Sequence, residues 1–231
     1  MKIDTDFRLE IKKTSRKKTI SFIIKNNIVQ VIAPKTLSDI ELESFINKKS
    51  NWIERTLRAN KLKTKIVTKD FESGEQFLYL GKKYKLKFIS NSNDLIKLKS
   101  GEIQVCINTL KFEDKKHRKK IVQNWFKEKA LSFLVKMTLE IAQEIKLNPK
   151  LVKIRSYKSR WGSCNSKDVI TYNWKLIMAP KSIIKYVVIH ELCHIKYLNH
   201  SKKYWNEVAK YVPDYKYKKH WLNQNTNIFE W

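Results

Sequence analysis

Over the first hundred residues apolar and polar positions alternate with a period of two, the pattern of half-buried strands. FRLEI, from Phe7 to Ile11, alternates cleanly. ISFII and IVQVI then flank Asn26-Asn27, a pair that tolerates the positive φ of a tight hairpin turn. Two further hairpins are expected, QFLYL-GKK-YKLKF around Gly81 and IKLKS-GEIQVCI around Gly101. Between the first hairpin and these two the period turns helical. Ser38 stands three residues before Glu41, as in a capping box, and Ile40, Leu42, Phe45, Ile46, Trp52 and Ile53 follow at helical spacing. A second change of period comes near residue 110. From Glu113 to Lys146 the chain reads as one helix without Gly or Pro, with Trp125, Phe126, Phe133, Leu134, Met137 and Ile141 as its buried stripe. Asn148-Pro149 stops it. Short strands are expected within 151–178, and helices over 181–198, 201–212 and 215–223. The pattern predicts an α+β chain, with a β-rich amino-terminal part carrying one helix over 1–110 and a mostly helical part over 111–231. No repeat or linker is visible.

Composition removes several classes. A chain that is 42% hydrophobic with seven Trp is not a disordered one, and four Gly and four Pro exclude collagen-like and low-complexity sequences. The three cysteines, Cys106, Cys164 and Cys193, form no CxxC pair, which argues against a disulfide framework or a Cys-rich zinc site. The opening MKIDTDFRLEIKK lacks a signal-peptide core, and no apolar run reaches membrane-spanning length. A soluble protein of the reducing cytoplasm, with no membrane partner, is expected. The 49 Lys and Arg against 22 Asp and Glu leave a net charge of +27. Such a surface steers anionic partners inward, among them nucleic acid and nucleotides. The charge is spread along the whole chain, which equally suits a solvated Lys-rich face.

One segment carries chemistry: His190-Glu191-Leu192-Cys193-His194, followed by His200. On a helix His190 and His194 project from one face about 40° apart, so their imidazoles can grip one divalent ion. Glu191 lies about 100° round from His190, beside the metal, where a carboxylate acts as general base to a water that the metal activates. The surrounding Ile183, Ile184, Val187, Val188, Ile189, Leu192 and Ile195 make this helix apolar nearly all round. A buried helix with two His and a Glu needs partners for those polar groups. His200, six residues beyond His194, supplies a third ligand if the helix breaks, and Asn199 can adopt the left-handed conformation that ends a helix. Three neutral nitrogens and an open fourth position describe a catalytic site for one zinc ion.

Upstream, KSRWGSC and ITYNWKLIMAP suggest a strand, a glycine turn and another strand just before the metal helix. Substrate can pair with an edge strand at such a place. Arg160 and Asn173 are candidates to face a developing oxyanion or a phosphate, and equally fit structural roles, as do Trp161 and Trp174. Cys164 admits a thiol-nucleophile reading, whereas Cys193 reads as a small core residue. His117, within KKHRKK, reads as part of a solvated charge run, and His220 as a surface or packing residue.

These segments resemble the YgjP-like metallopeptidases, relatives of the SprT-like and WLM zinc proteases. The resemblance runs over nearly the whole chain: RKKTISF, SNWIERTL, GEQFLYLGKKYKLKF, SYKSRWGSCNSKDVITYNWKLIMAP and VVIHELCHIKYLNHSKKYWNEVAKYVPDY. It implies zinc on His190, His194 and His200, Glu191 as base, and a zincin-like catalytic part behind the β-rich part. Metzincin proteases share the six-residue offset but place Gly where Tyr197 stands, so their tight turn is not expected here, nor is a Met-turn evident. Asp214, in PDY, is a candidate to orient a ligating imidazole. Zinc-dependent hydrolysis of polypeptides is the first expectation. A zinc-dependent nucleoside triphosphate hydrolase on the same site is the alternative, with a Lys/Arg-lined cup as its mark, and a purely structural zinc module is disfavoured by Glu191.

Overall fold

The early alternation becomes a small sheet of β1 (Arg8–Thr14), β2 (Ser21–Lys25) and β3 (Ile28–Pro34), followed by α1 (Asp39–Leu62). The computed structural model describes residues 7–25, 28–62 and 69–229. The Asn26-Asn27 turn lies outside them. Ser38 and Glu41 form the capping box: the Ser38 N–H donates to Glu41 Oε2 at 3.0 Å, and the Glu41 N–H donates to Ser38 Oγ at 3.3 Å. Val29, Val31 and Ala33 from β3 meet Leu42, Ile46, Ile53 and Leu57 from α1 in one core. Ile40, Phe45 and Trp52, expected on the same stripe, are exposed. They stand roughly 60° or more outside the arc that the four buried positions share.

The chain divides into two compact units, Met1–Lys65 and Ile66–Trp231. The change of pattern near residue 110 falls inside the second. There β4 (Gln76–Tyr79), β5 (Lys82–Asn91), β6 (Leu95–Lys99) and β7 (Glu102–Asn108) form a sheet in the order β4-β5-β7-β6. Both expected turns form, with positive φ at Leu80-Gly81 and at Ser100-Gly101. The inner positions Phe77, Leu86, Phe88, Ile103, Val105 and Ile107 share a core with α2 (Lys115–Glu144), where Phe77 stands 6.2 Å from Phe126 and Tyr79 5.3 Å from Trp125. Asp114 caps α2 by accepting from the Lys116 and His117 N–H groups. The helix closes two residues before its expected end. Lys146 takes a left-handed φ of 56°, and Leu147 N–H donates back to Ala142 O at 2.9 Å, a Schellman end.

A third sheet, in the order β8-β10-β9, comprises β8 (Leu151–Arg155), β9 (Gly162–Cys164) and β10 (Val169–Asn173). All three sheets repeat one plan. The last strand of each triplet is central, parallel to the first and antiparallel to the second: β3 between β1 and β2, β7 between β5 and β6, β10 between β8 and β9. Tyr172 is fully buried in β10 and its hydroxyl lies 3.1 Å from that of Thr138 on α2. A 3-10 turn, Trp174–Met178, leads into α3 (Lys181–Lys196), followed by α4 (Lys202–Tyr211) and α5 (Tyr215–Asn225). The β4–β5 turn docks on this lead-in, with Leu80 N–H donating to Ile177 O and Gly81 N–H to Met178 O. A Cβ on Gly81 would stand 2.8 Å from the Pro180 α-carbon. Glycine there satisfies both the φ and the close approach that fixes where α3 begins. The architecture is α+β.

Candidate metal centre

Helix α3 is buried along most of its length, and it brings His190, Glu191 and His194 into the interior. It ends at Lys196. Tyr197 is extended (φ −135°, ψ 104°), its N–H bonds to Cys193 O, and its C=O stands 3.0 Å from His194 Nδ1. The break is therefore made at Tyr197 by extended backbone, with no left-handed residue at Asn199. Asn199 instead accepts from the Ser201 N–H at 3.3 Å, and Ser201 caps α4. This connection returns His200 to the His190–His194 face.

The three rings converge. Each of His190, His194 and His200 offers a nitrogen, and these nitrogens all lie within 4.8 Å of one another. His190 Nε2 and His200 Nε2 are 3.2 Å apart. Two ligands of one tetrahedral zinc are separated by about 3.3 Å, from zinc–nitrogen bonds of about 2.05 Å. The Tyr197 carbonyl holds the His194 proton on Nδ1, which leaves Nε2 free to ligate. Burial holds all three imidazoles below their ordinary pKa, His190 down to about 3, so the rings stay in the neutral form that a metal requires. His190 Nδ1 is the buried side-chain polar atom without a hydrogen-bond partner among the described residues. The nitrogen that faces the other rings is Nε2, so this orphan is not the metal donor, and the fit rests on the convergence of the three rings. The donor set fits one divalent ion of the zinc type.

His200 is held by stacking. Its ring lies 5.4 Å from Trp205 at 20°, and Trp205 lies 5.0 Å from Tyr215 at 14°. Lys219 Nζ sits 4.5 Å from the Trp205 centroid. Tyr204, fully buried, stacks on His194 at 4.6 Å and donates to the His190 carbonyl at 2.9 Å, tying α4 to α3 beneath the rings.

Glu191 is 4% exposed, and its carboxyl has no hydrogen-bond or ion-pair partner among the described residues. Burial pushes its pKa up to about 8, against a smaller opposing effect of the Arg160 charge. The carboxyl lies against Gly162, where a Cβ would come within 2.8 Å of its Cδ and Cγ. His190, Glu191, His194 and His200 all line one cleft of about 430 Å³. Its other wall is β9, one of the two edge strands of its sheet, through Gly162, Ser163 and Cys164. Arg160 and Lys219 are the cations on its lining.

The remaining candidates take other places. Arg160 lines the cleft with its guanidinium 5.7 Å from the Tyr157 ring. Asn173 does not reach the cleft. Its amide donates to Tyr157 O and Arg160 O and accepts from the Lys175 N–H, so it clamps the loop before β9. Asp214 pairs with Lys218 and makes no hydrogen bond to a ring of the cluster, contrary to the role considered for it. Trp174 is core and donates to Ser156 Oγ, whereas Trp161 lines the cleft and packs on Phe229. Burial raises the Cys164 thiol to about 11 and Cys193 to about 12, which leaves neither a thiolate near neutral pH. His117 is no solvated residue of a charge run, since its Nε2 meets Asp94 at 3.0 Å. Sequence reasoning missed Gly162 and Trp205 as parts of the site. Gly162 stands within β9 and not in the glycine turn expected there, and an aromatic five residues beyond His200 was the signal for Trp205.

A family model described as YgjP-like, metallopeptidase domain, matches residues 18–225. Two solved structures are similar to part of the chain. One is the metallopeptidase zymogen abylysin of Pyrococcus abyssi, 24% identical, with a TM-score of 0.36, covering 40% of this chain and 97% of that one. The other is the metallopeptidase zymogen jannalysin of Methanocaldococcus jannaschii, 21% identical, with a TM-score of 0.36, covering 39% and 94%. No curated protein matches. The family match lends no support to a nucleotide substrate or a nucleic-acid partner. Among the described residues no helix is long and apolar enough to cross a membrane.

Proposed function

The chain belongs to the YgjP-like metallopeptidase family, and from that premise we propose that it is a zinc-dependent peptidase with His190, His194 and His200 as ligands and Glu191 as general base. One observation carries this reading: three imidazole nitrogens and a buried, unpartnered carboxyl face one cleft whose opposite wall is an open strand edge. When bound, a zinc ion supplies Lewis acidity that makes a water nucleophilic near neutral pH and polarises a carbonyl. Glu191 ionises more readily beside a divalent cation than burial alone allows. Its carboxylate takes the proton of the attacking water and hands it to the departing amine. The free edge of β9 offers backbone donors and acceptors to an extended polypeptide, which lays the scissile bond along the cleft. Arg160 and Lys219 are two cations on one lining and form no cup around a polyphosphate, so the peptide reading is the one the cleft favours. The three free thiols suit a reducing, cytoplasmic setting.

The test is hydrolysis of a quenched-fluorescence peptide library by zinc-loaded protein beside Glu191→Gln. Loss of the base is expected to lower kcat by about 1,000-fold, with one zinc still bound per chain. Cleavage by Glu191→Gln at the parent rate would remove the base from the account.

A further inference from the structure

Three of the four glycines, Gly74, Gly81 and Gly101, have left-handed φ values that any side chain would strain. Gly162 does not, so its backbone accepts any L-residue. It sits within β9, paired with Tyr172 of β10, and no turn demands it. What demands it is space. A Cβ built there would lie 2.8 Å from Glu191 Cδ, 2.8 Å from Cγ and closer still to Oε1. The three nearest atoms are all Glu191 atoms, so one side chain alone accounts for the glycine. Among the described residues no polar group holds the Glu191 carboxyl. Contact with the bare strand is what fixes its place.

We propose that Gly162 is a positioning residue: the missing side chain on β9 is the seat of the Glu191 carboxyl, and filling it moves the base out of line with the three imidazoles. The proposal rests on the reading of Glu191 as the base. It also makes one strand do two jobs, because the edge offered to an extended substrate is the surface that locates the base. Misplacement of a reacting group by about 1 Å can cost about 100-fold in rate. Since Gly162 touches none of the three His residues in this respect, metal binding should not change with it.

The test has a kinetic and a thermal arm. Gly162→Ala in the zinc-loaded protein is expected to lower kcat about 100-fold, while KM and zinc affinity, the latter measured by competition with a chromogenic chelator, stay within about threefold. In the thermal arm the metal-free protein should lose about 5 °C in Tm on Gly162→Ala, the penalty of overfilling a packed site. In a Glu191→Ala background, where the carboxyl is gone, the same substitution should cost less than half as much. Retention of kcat, a loss of zinc affinity matching the loss of kcat, or an equal thermal cost in both backgrounds overturns the proposal. Failure of Gly162→Ala to fold in either background overturns it also, whereas folding only with Glu191→Ala supports it. If Glu191→Gln cleaves peptides normally, the reading of the base fails, and the thermal arm still decides the seat by itself.

Discussion

Glu191 stands where two requirements conflict. A general base must lose its proton near neutral pH, yet burial lifts this carboxyl from its ordinary 4.5 to about 8. In the metal-free protein folding therefore favours the protonated group. As pH rises from 4.5 toward 8 the unfolded chain releases that proton and the folded one holds it, so this residue makes the folded state progressively less stable. A neutral amide has no such cost. Metal-free Glu191→Gln should thus be more stable than the parent by ~2–4 kcal/mol at pH 8, with the gain vanishing toward pH 4.5, in denaturant melts across that window. A gain independent of pH would show that the carboxyl is not held in this environment. At this scale the sequence was most readable where spacing alone dictates geometry. The four- and six-residue offsets from His190 to His194 to His200 put three donors in one place. Asn173 and Asp214 were not readable, because an amide or carboxylate goes wherever a local donor or acceptor takes it, here the loop backbone and Lys218.

Elements were legible wherever the period was unbroken. Helix α3 and its neighbours fall within two residues of their expected ends, and the three predicted hairpins are antiparallel pairs. The parallel pairs β1–β3, β5–β7 and β8–β10 were not foreseen. A period of two says which face of a strand is buried and is silent on which strand lies beside it. The link from α3 to α4 shows how neighbouring elements complete the site. Lys196 at the end of α3 pairs with Glu207 of α4 at 3.1 Å and ties the two helices around the His200 loop, while Lys210, within α4, holds the same carboxylate at 2.7 Å. Trp205 then fixes the His200 ring face to face. Among the described residues His200 has no hydrogen-bond partner other than the neighbouring His190 nitrogen, so this stack does the work that an outer carboxylate does for many metal ligands. Trp205→Ala should weaken zinc binding 10- to 100-fold, roughly the loss seen on removing an outer-shell partner, and Trp205→Phe should recover most of it. Unchanged affinity in chelator competition would show that the loop backbone positions His200 unaided.

On the scale of the whole molecule, the change of period near residue 110 is a poor guide to what packs with what. The sheet of 76–108 reads as part of a β-rich beginning, yet its inner face shares a core with α2 and its first turn docks on the start of α3. Long-range burial of this kind leaves no mark in a local pattern. All four proposed site residues lie in the Ile66–Trp231 unit, which has its own core. A chain of residues 66–231 is expected to bind one zinc with an affinity close to that of the full chain; loss of binding would mean that the site depends on the first sixty-five residues. The net charge of +27 belongs to the molecule as a whole and not to the cleft, whose lining carries two cations and one carboxyl. The most direct measurement is mass spectrometry of one incubation of zinc-loaded protein with an unfolded polypeptide and nucleoside triphosphates together, beside the same incubation with Glu191→Gln. The account predicts new peptide termini in the first sample, their absence in the second, and intact triphosphates in both. Triphosphate breakdown over an uncut polypeptide, lost with Glu191→Gln, would contradict it.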